Sequence, residues 1–263
     1  ATAARPLAVL VHGLTGNEDS FYLRNTAAHL LTLGFPVLRL NLRGAGPSRP
    51  FCRFQYHAGR SEDFAAALAA LPAALTAPGV VAIGYSLGAN MLLKYLGEQG
   101  AAAAVKAAVA VSSPLDLADA SRRFMRARNA LYQRYLLREM KSEAMAPGAE
   151  LSAGERAAIA GASTIWAFDH GFSAPRNGFP GAEAYYERNA AGRFLDAIAV
   201  PTLVIHALDD PWIPPTPYIT HDWRRNPCLV PLLSPQGGHV GFLGRDPSTA
   251  WHDLCIERFL AGI

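Results

Sequence analysis

Cysteine is scarce in this sequence: Cys52, Cys228 and Cys255 are the only three in 263 residues, far apart and odd in number. With no CxxC pair, a disulfide framework and a thiolate zinc site are both excluded, and a reducing, cytoplasmic setting is the expectation. Long apolar runs are missing as well. The alanine-rich stretch from Ala101 to Val111 is interrupted by Lys106, so no transmembrane span, which needs roughly 18 or more apolar residues, is expected. The first residues lack the basic, apolar and cleavage regions of a secretory signal. Charged residues make up only 17% of the chain and the formal charge is +3. That bias is too small to argue for nucleic acid, and no nucleic-acid-binding motif is present. HExxH is absent, as is any close Cys/His or Asp/Glu set with zinc or calcium spacing. GxGxxG is absent too: RGAGPS, from Arg43 to Ser48, lacks the third glycine and the strand-to-helix setting of a dinucleotide site. No metal and no cofactor are therefore expected.

What is abundant is apolar side chain. Hydrophobic residues are 51% of the chain, which excludes a disordered or solvating segment and allows a large core. The length suits one large α/β domain over residues 1–263. Short runs rich in apolar and β-branched residues read as buried strands: LAVLVHG after Pro6, FPVLRLNLRG from Phe35, GVVAIGYS from Gly79, VKAAVAVSSP from Val105, VPTLVIHALDDP from Val200 and CLVPLLSPQGGH from Cys228. Between and after them lie helical patterns. SFYLRNTAAHLLTLG closes on Gly34, SEDFAAALAAL opens on a serine cap with an acidic first turn, and SLGANMLLKYLGEQG and TAWHDLCIERFLAGI follow. This alternation implies a mostly parallel central sheet with helices on both faces, whose site lies beyond the carboxyl ends of the strands. From about residue 114 to 196 the alternation breaks, and this segment is expected to be a helical lid inserted over the sheet.

The chemistry gathers at the strand ends. Gly84-Tyr85-Ser86-Leu87-Gly88 sits between a strand and a helix, the setting in which a tight turn projects a serine from the top of a sheet as a nucleophile. A free serine is a poor nucleophile at neutral pH; it needs a general base, and the base an orienting acid. In chain order these should follow as an acid after a later strand and a histidine near the C-terminus. LVIHALDDPWIP supplies Asp209 and Asp210, and SPQGGHVGF supplies His239. Asp210 is the expected acid, with Asp209 as the alternative should Asp210 cap the turn that follows. The backbone N–H of Leu87 and that of Leu14, in VHGLTG, are the expected oxyanion donors. His12 is expected to support that loop rather than to do acid–base work, and His57 to be a structural hydrogen-bonding residue.

Taken together and in order, HGLTGNEDSFYLR, NLRGAGPS, YHAGRSEDF, GYSLGANMLLKYLGE, SSPLDL, FDHGFSAPRNGF, ALDDPWIP and GGHVGF span nearly the whole chain. They resemble the α/β-hydrolase superfamily and, within it, the YheT-like branch, which also holds plant embryogenesis-associated and animal phospholipase-like hydrolases. The resemblance implies an α/β-hydrolase fold, Ser86 as nucleophile, His239 as base, Asp210 as orienting acid, and hydrolysis of carboxylic esters. Two features depart from the pattern. The chain opens almost directly on the strand leading to His12, where relatives generally carry a further N-terminal segment with extra strands. FDHG also puts His170 where the pattern expects a second aspartate.

The mechanism expected from these residues is acyl transfer through a serine ester, and a serine at this position argues against dehalogenase or epoxide-hydrolase chemistry. Short or medium acyl esters are the first expectation, with lipid esters as a variant. Ser121 to Lys141 carries seven basic residues among Phe124, Met125, Leu131, Tyr132, Tyr135, Leu136 and Leu137. It reads either as an amphipathic lid helix in peripheral contact with anionic lipid or as an ordinary lid helix with a solvated basic face. Trp166, Phe168, Phe172 and Phe179 read either as an acyl pocket or as the core of the lid. An acyltransferase or thioesterase with the same residues, and a non-catalytic binding protein on a hydrolase fold, are the alternatives.

Overall fold

In the computed structural model of the chain, which describes residues 4–244 and 249–263, the apolar runs form β1 (Leu7–Val11), β2 (Val37–Leu40), β3 (Val80–Tyr85), β4 (Ala107–Val111), β5 (Thr202–Ala207) and β6 (Leu229–Ser234). They make one sheet in the order β2-β1-β3-β4-β5-β6, and every neighbouring pair is parallel. A run such as Leu7–Val11 has no polar position to show to water, so it is stable only when both faces are covered. Accordingly every residue of β1, β3, β4 and β5 is buried.

One face is covered by α1 (Phe21–Thr32) and the terminal α12 (Trp251–Leu260), through Leu23, Leu30, Ile256 and Leu260. The other is covered by α2 (Ser61–Ala69), the short α3 (Ala73–Thr76) nearby, and α4 (Leu87–Gln99), with Phe64, Met91 and Leu92 in its core. Ser61 is the first residue of α2 rather than its cap, because its hydroxyl donates to the Glu98 carboxylate and accepts from Lys94 (3.1 Å) instead. The chain leaves β1 for the edge strand β2 and returns on the other side of β1 as β3. The loops after β1 and β3 therefore diverge, and such a switch point is where open parallel sheets bind ligands.

Between β4 and β5 lies the helical insertion: α5 (Leu117–Phe124), α6 (Ala130–Ala144), α7 (Ala153–Gly161), α8 (Ile165–Phe168), α9 (Ala174–Arg176) and α10 (Ala182–Asn189). After β5 the short α11 (Thr216–Thr220) precedes β6. The basic stretch from Ser121 to Lys141 is not one helix but parts of two. Buried Asn129 interrupts it by donating its side-chain amide to Arg123 O (2.9 Å) at the end of α5 and to Pro211 O (2.8 Å) below. Leu136, Leu137 and Met140 of α6 pack with Ile159, Ile165, Phe168 and Phe172 into a separate small core.

Candidate active site

The chain passes from β3 into α4 through a single residue, Ser86, at φ 52° and ψ −119°. Two glycines allow this by close approach. A Cβ on Gly84 would lie 2.7 Å from Ala89 Cα, and one on Gly88 would lie 2.3 Å from His12 O. The Ser86 N–H donates to Val111 O (2.8 Å) and its carbonyl accepts from Asn90 N–H (3.0 Å), so β4 holds one side of the turn and α4 the other.

His239, in the loop after β6, places Nε2 3.0 Å from Ser86 Oγ and Nδ1 2.8 Å from Asp210 Oδ2. Asp210 follows β5 and is 0% exposed. Its Oδ1 accepts the N–H groups of Trp212 (2.8 Å) and Ile213 (2.9 Å), so the carboxylate is fixed before it meets the imidazole. Asp209 is exposed and turned elsewhere, its Oδ1 accepting the Gly238 N–H (2.9 Å). The adjacent carboxylates thus separate: one touches the imidazole, the other holds the backbone just before it. Trp212 packs on the His239 ring at 4.6 Å between centroids. Arg123 of α5 reaches down to Asp210 O (3.1 Å) and Pro211 O (3.3 Å), so it does not belong to the solvated basic face of the insertion.

The loop after β1 presents three successive N–H groups. Gly13 donates to Tyr22 Oη (2.9 Å) and Thr15, at φ 56°, donates to Tyr56 Oη (2.7 Å). Leu14 between them, and Leu87 at the start of α4, donate to no group among the described residues. An N–H in the first turn of a helix has no partner within the helix, as at Leu87, and Leu14 and Leu87 line the same cavity as Ser86. His12 stabilises the loop from below. Its Nδ1 donates to Gly13 O (2.8 Å) and its Nε2 accepts from Leu42 N–H (3.1 Å), which requires the neutral ring, and burial lowers its pKa to about 4. Thr15, Ser86, Ser112, Val240 and Phe242 are the non-glycine residues at positive φ among those described. All five follow strand ends around this site, where such strain, of order 1–3 kcal/mol each, is tolerated because the surroundings impose it.

A cavity of about 580 Å³ opens onto Ser86, His239, Leu14 and Leu87, within the roughly 300–1,000 Å³ of small-molecule sites. Its far wall comes from the insertion, including Leu136, Met140 and Phe168. Phe172 belongs to the core of the insertion, while Trp166 and Phe179 pack against a second cluster around Tyr185 and Tyr186. His170 stacks on Trp166 (4.7 Å) and is half exposed, outside the cavity lining. His57 lines the cavity and accepts the Gly59 N–H (3.1 Å); burial lowers its pKa to about 3, so it is neutral. Five polar residues of this cavity were not singled out as site residues from the sequence: Tyr22, Tyr56 and Asp169, although they lie in the segments that carry the family resemblance, and Glu143 and Tyr186, which lie outside them. Among the described residues no group of three or more His, Cys, Asp or Glu is placed to hold a metal ion, and no helix is long and apolar enough to cross a membrane.

The family model described as the alpha/beta hydrolase fold matches residues 6–246. The chain is 32% identical over 248 residues to YheT of Escherichia coli, covering 91% of this chain and 71% of that protein. It is 28% identical over 283 residues to the medium-chain fatty acid ethyl ester synthase/esterase 2 of Saccharomyces cerevisiae, covering 97% of this chain and 61% of the yeast protein. Its fold is similar to that of the Pyrococcus furiosus esterase Pf2001, with a TM-score of 0.66 at 17% identity, covering 100% of this chain and 84% of that one.

Proposed function

We propose that this chain, which belongs to the α/β-hydrolase family and to its YheT-like branch, is a serine hydrolase that cleaves carboxylic esters of short or medium acyl chain, lipid esters among them. The observation that carries this reading is the hydrogen-bonded relay from Ser86 through His239 to Asp210 at the floor of a largely apolar cavity.

His239 Nε2 takes the proton of Ser86 Oγ as the oxygen attacks the ester carbonyl. Asp210, buried and already holding two backbone N–H groups, keeps Nδ1 protonated and stabilises the imidazolium that forms. The developing oxyanion is received by the N–H groups of Leu14 and Leu87, each worth about 3 kcal/mol in comparable sites. His239 then protonates the departing alcohol, leaving an acyl group on Ser86, and activates a water that releases the acid and restores the serine.

The direct test is hydrolysis of p-nitrophenyl esters from acetyl to palmitoyl by wild type and by Ser86→Ala at equal folded concentration. The expected outcome is a loss of about 10⁴-fold or more in kcat, with a chain-length optimum in the wild type that selects between small and lipid esters. Activity that survives the substitution would refute the reading. A second outcome of the same acyl-enzyme, transfer to an alcohol, is favoured by the yeast relative whose name couples ester synthesis with esterase action. Added ethanol would then yield ethyl ester at the expense of free acid.

Contact with a lipid surface is part of the lipid variant. Leu131, Tyr132 and Tyr135 of α6 are exposed, two of them at the cavity wall, and Arg128, Arg134 and Arg138 beside them are exposed as well. Apolar side chains rimmed by cations are suited to an anionic interface.

A further inference from the structure

Among the described residues that line the cavity above Ser86 there is no lysine or arginine, yet there are two carboxyl groups, Glu143 and Asp169. Glu143 is tied to the oxyanion loop through Tyr56, which donates to Glu143 Oε2 (3.3 Å) while accepting the Thr15 N–H. Among the described residues, Asp169 makes no hydrogen bond to Ser86, His239 or that loop. It sits in the insertion with only 8% of its surface exposed, and its Oδ2 accepts the Tyr186 hydroxyl (2.7 Å). Ser121 Oγ stands 3.2 Å from the same hydroxyl, and Ser173 lies four residues further along the same segment. All four line the cavity.

A carboxylate in this position is expensive. Burial is the dominant influence on it and pushes its pKa up to about 6. Among the described residues the contact that balances it is the Tyr186 hydroxyl, not a cation. Such a group offers an acceptor toward the cavity and repels an anionic substrate, and a neutral donor can approach it without bringing in a second charge.

We propose that the cavity selects uncharged esters that carry a hydroxyl group, and that the Asp169 carboxylate, held by Tyr186, is the acceptor for that hydroxyl. The assignment rests on the ester-hydrolase reading given above, and its test separates the two. The hydroxyl could belong to the alcohol half of the ester or to the far end of the acyl half, and two comparisons distinguish them. Propyl octanoate against 2-hydroxyethyl octanoate exchanges a methyl for a hydroxyl on the alcohol side; propyl octanoate against propyl 8-hydroxyoctanoate adds one at the acyl end. The propyl half-ester of octanedioic acid supplies the anionic arm.

Hydrolysis of propyl octanoate that depends on Ser86 supports the ester-hydrolase reading, whatever the remaining ratios are. For the inference, one hydroxylated ester is expected to exceed propyl octanoate in kcat/KM by about 10- to 100-fold, the range of a hydrogen bond to a charged group, and the half-ester to fall below it. Asp169→Ala is expected to bring the hydroxyl preference, read as the ratio of kcat/KM on the hydroxylated ester to that on propyl octanoate, close to one. Asp169→Asn, which keeps one neutral acceptor oxygen for Tyr186 and substrate to share, should retain part of the preference and serves if the alanine variant does not fold. A wild type with no hydroxyl preference, or one that accepts the half-ester equally well, overturns the proposal. So does a parallel loss on all esters in both variants, which would assign Asp169 to holding the insertion together.

Discussion

Asp210 divides its two carboxylate oxygens between His239 on one side and the backbone of Trp212 and Ile213 on the other. Asp209, one residue earlier, accepts the Gly238 N–H instead. The consequence belongs to single residues. Asp210→Asn keeps the backbone contacts but presents either a neutral oxygen or an N–H to His239, and loss of the charge and of the correct tautomer should lower kcat by about 10⁴-fold. Asp209→Asn still accepts from Gly238 and should change kcat by less than about tenfold. The two substitutions, assayed on the same ester with melting temperature as a control, assign the acid; equal losses would refute the division.

At the level of elements, α6 of the insertion is joined to the loop after β1 through Glu143, Tyr56 and Thr15. Burial pushes the Glu143 carboxyl up to about 7; the nearby Glu139 adds to the rise, while Tyr56 and Arg49 oppose it. The sign follows from linkage. In the unfolded chain the group ionises near 4.5, so between that value and about 7 the folded state binds the extra proton. Wild-type stability therefore falls as pH rises through this window. Glutamine stays neutral throughout, so Glu143→Gln should gain in melting temperature relative to wild type on going from pH 5 to pH 8. A difference that stays constant with pH would mean that Glu143 is already ionised at the lower value.

Across the whole molecule, the sheet and the insertion are pegged together at Asn90 of α4. Its buried amide donates to Ala58 O (3.0 Å) and Asn189 O (2.9 Å), and its oxygen accepts the Ala191 N–H (2.8 Å). The insertion is thereby held above Ser86 with its exposed apolar residues and arginines at the outer rim. If that rim meets lipid, vesicles containing anionic lipid should co-sediment with the protein at low salt and release it as ionic strength rises, because exposed charges are screened beyond about 10 Å at 0.1 M. Neutral vesicles should capture less. Equal capture on both, or none, would leave the arginines as a solvated face.

The strands and the helices covering them could be read in the sequence because burial on both faces forces apolar runs, and because the turn at Ser86 needs glycines at 84 and 88. The order of Ser86, Asp210 and His239 was legible for the same reason: each follows a strand, and strand ends of a parallel sheet meet at one edge. What composition and spacing could not decide was set by side chains from distant segments. Asp210 is distinguished from Asp209 only by which carboxylate is buried facing the imidazole. The basic stretch is broken into two helices by Asn129, whose partner Pro211 lies 82 positions away. Tyr56 meets Thr15 across 41 positions, and Glu143 meets Tyr56 across 87. A hydrogen bond between such residues leaves no periodicity in the chain, since its geometry exists only after the core has brought the two segments together. The sequence by itself determined the sheet and the reactive residue types at its edge; the tertiary structure decided which polar groups surround the cavity and which of them remain for a substrate.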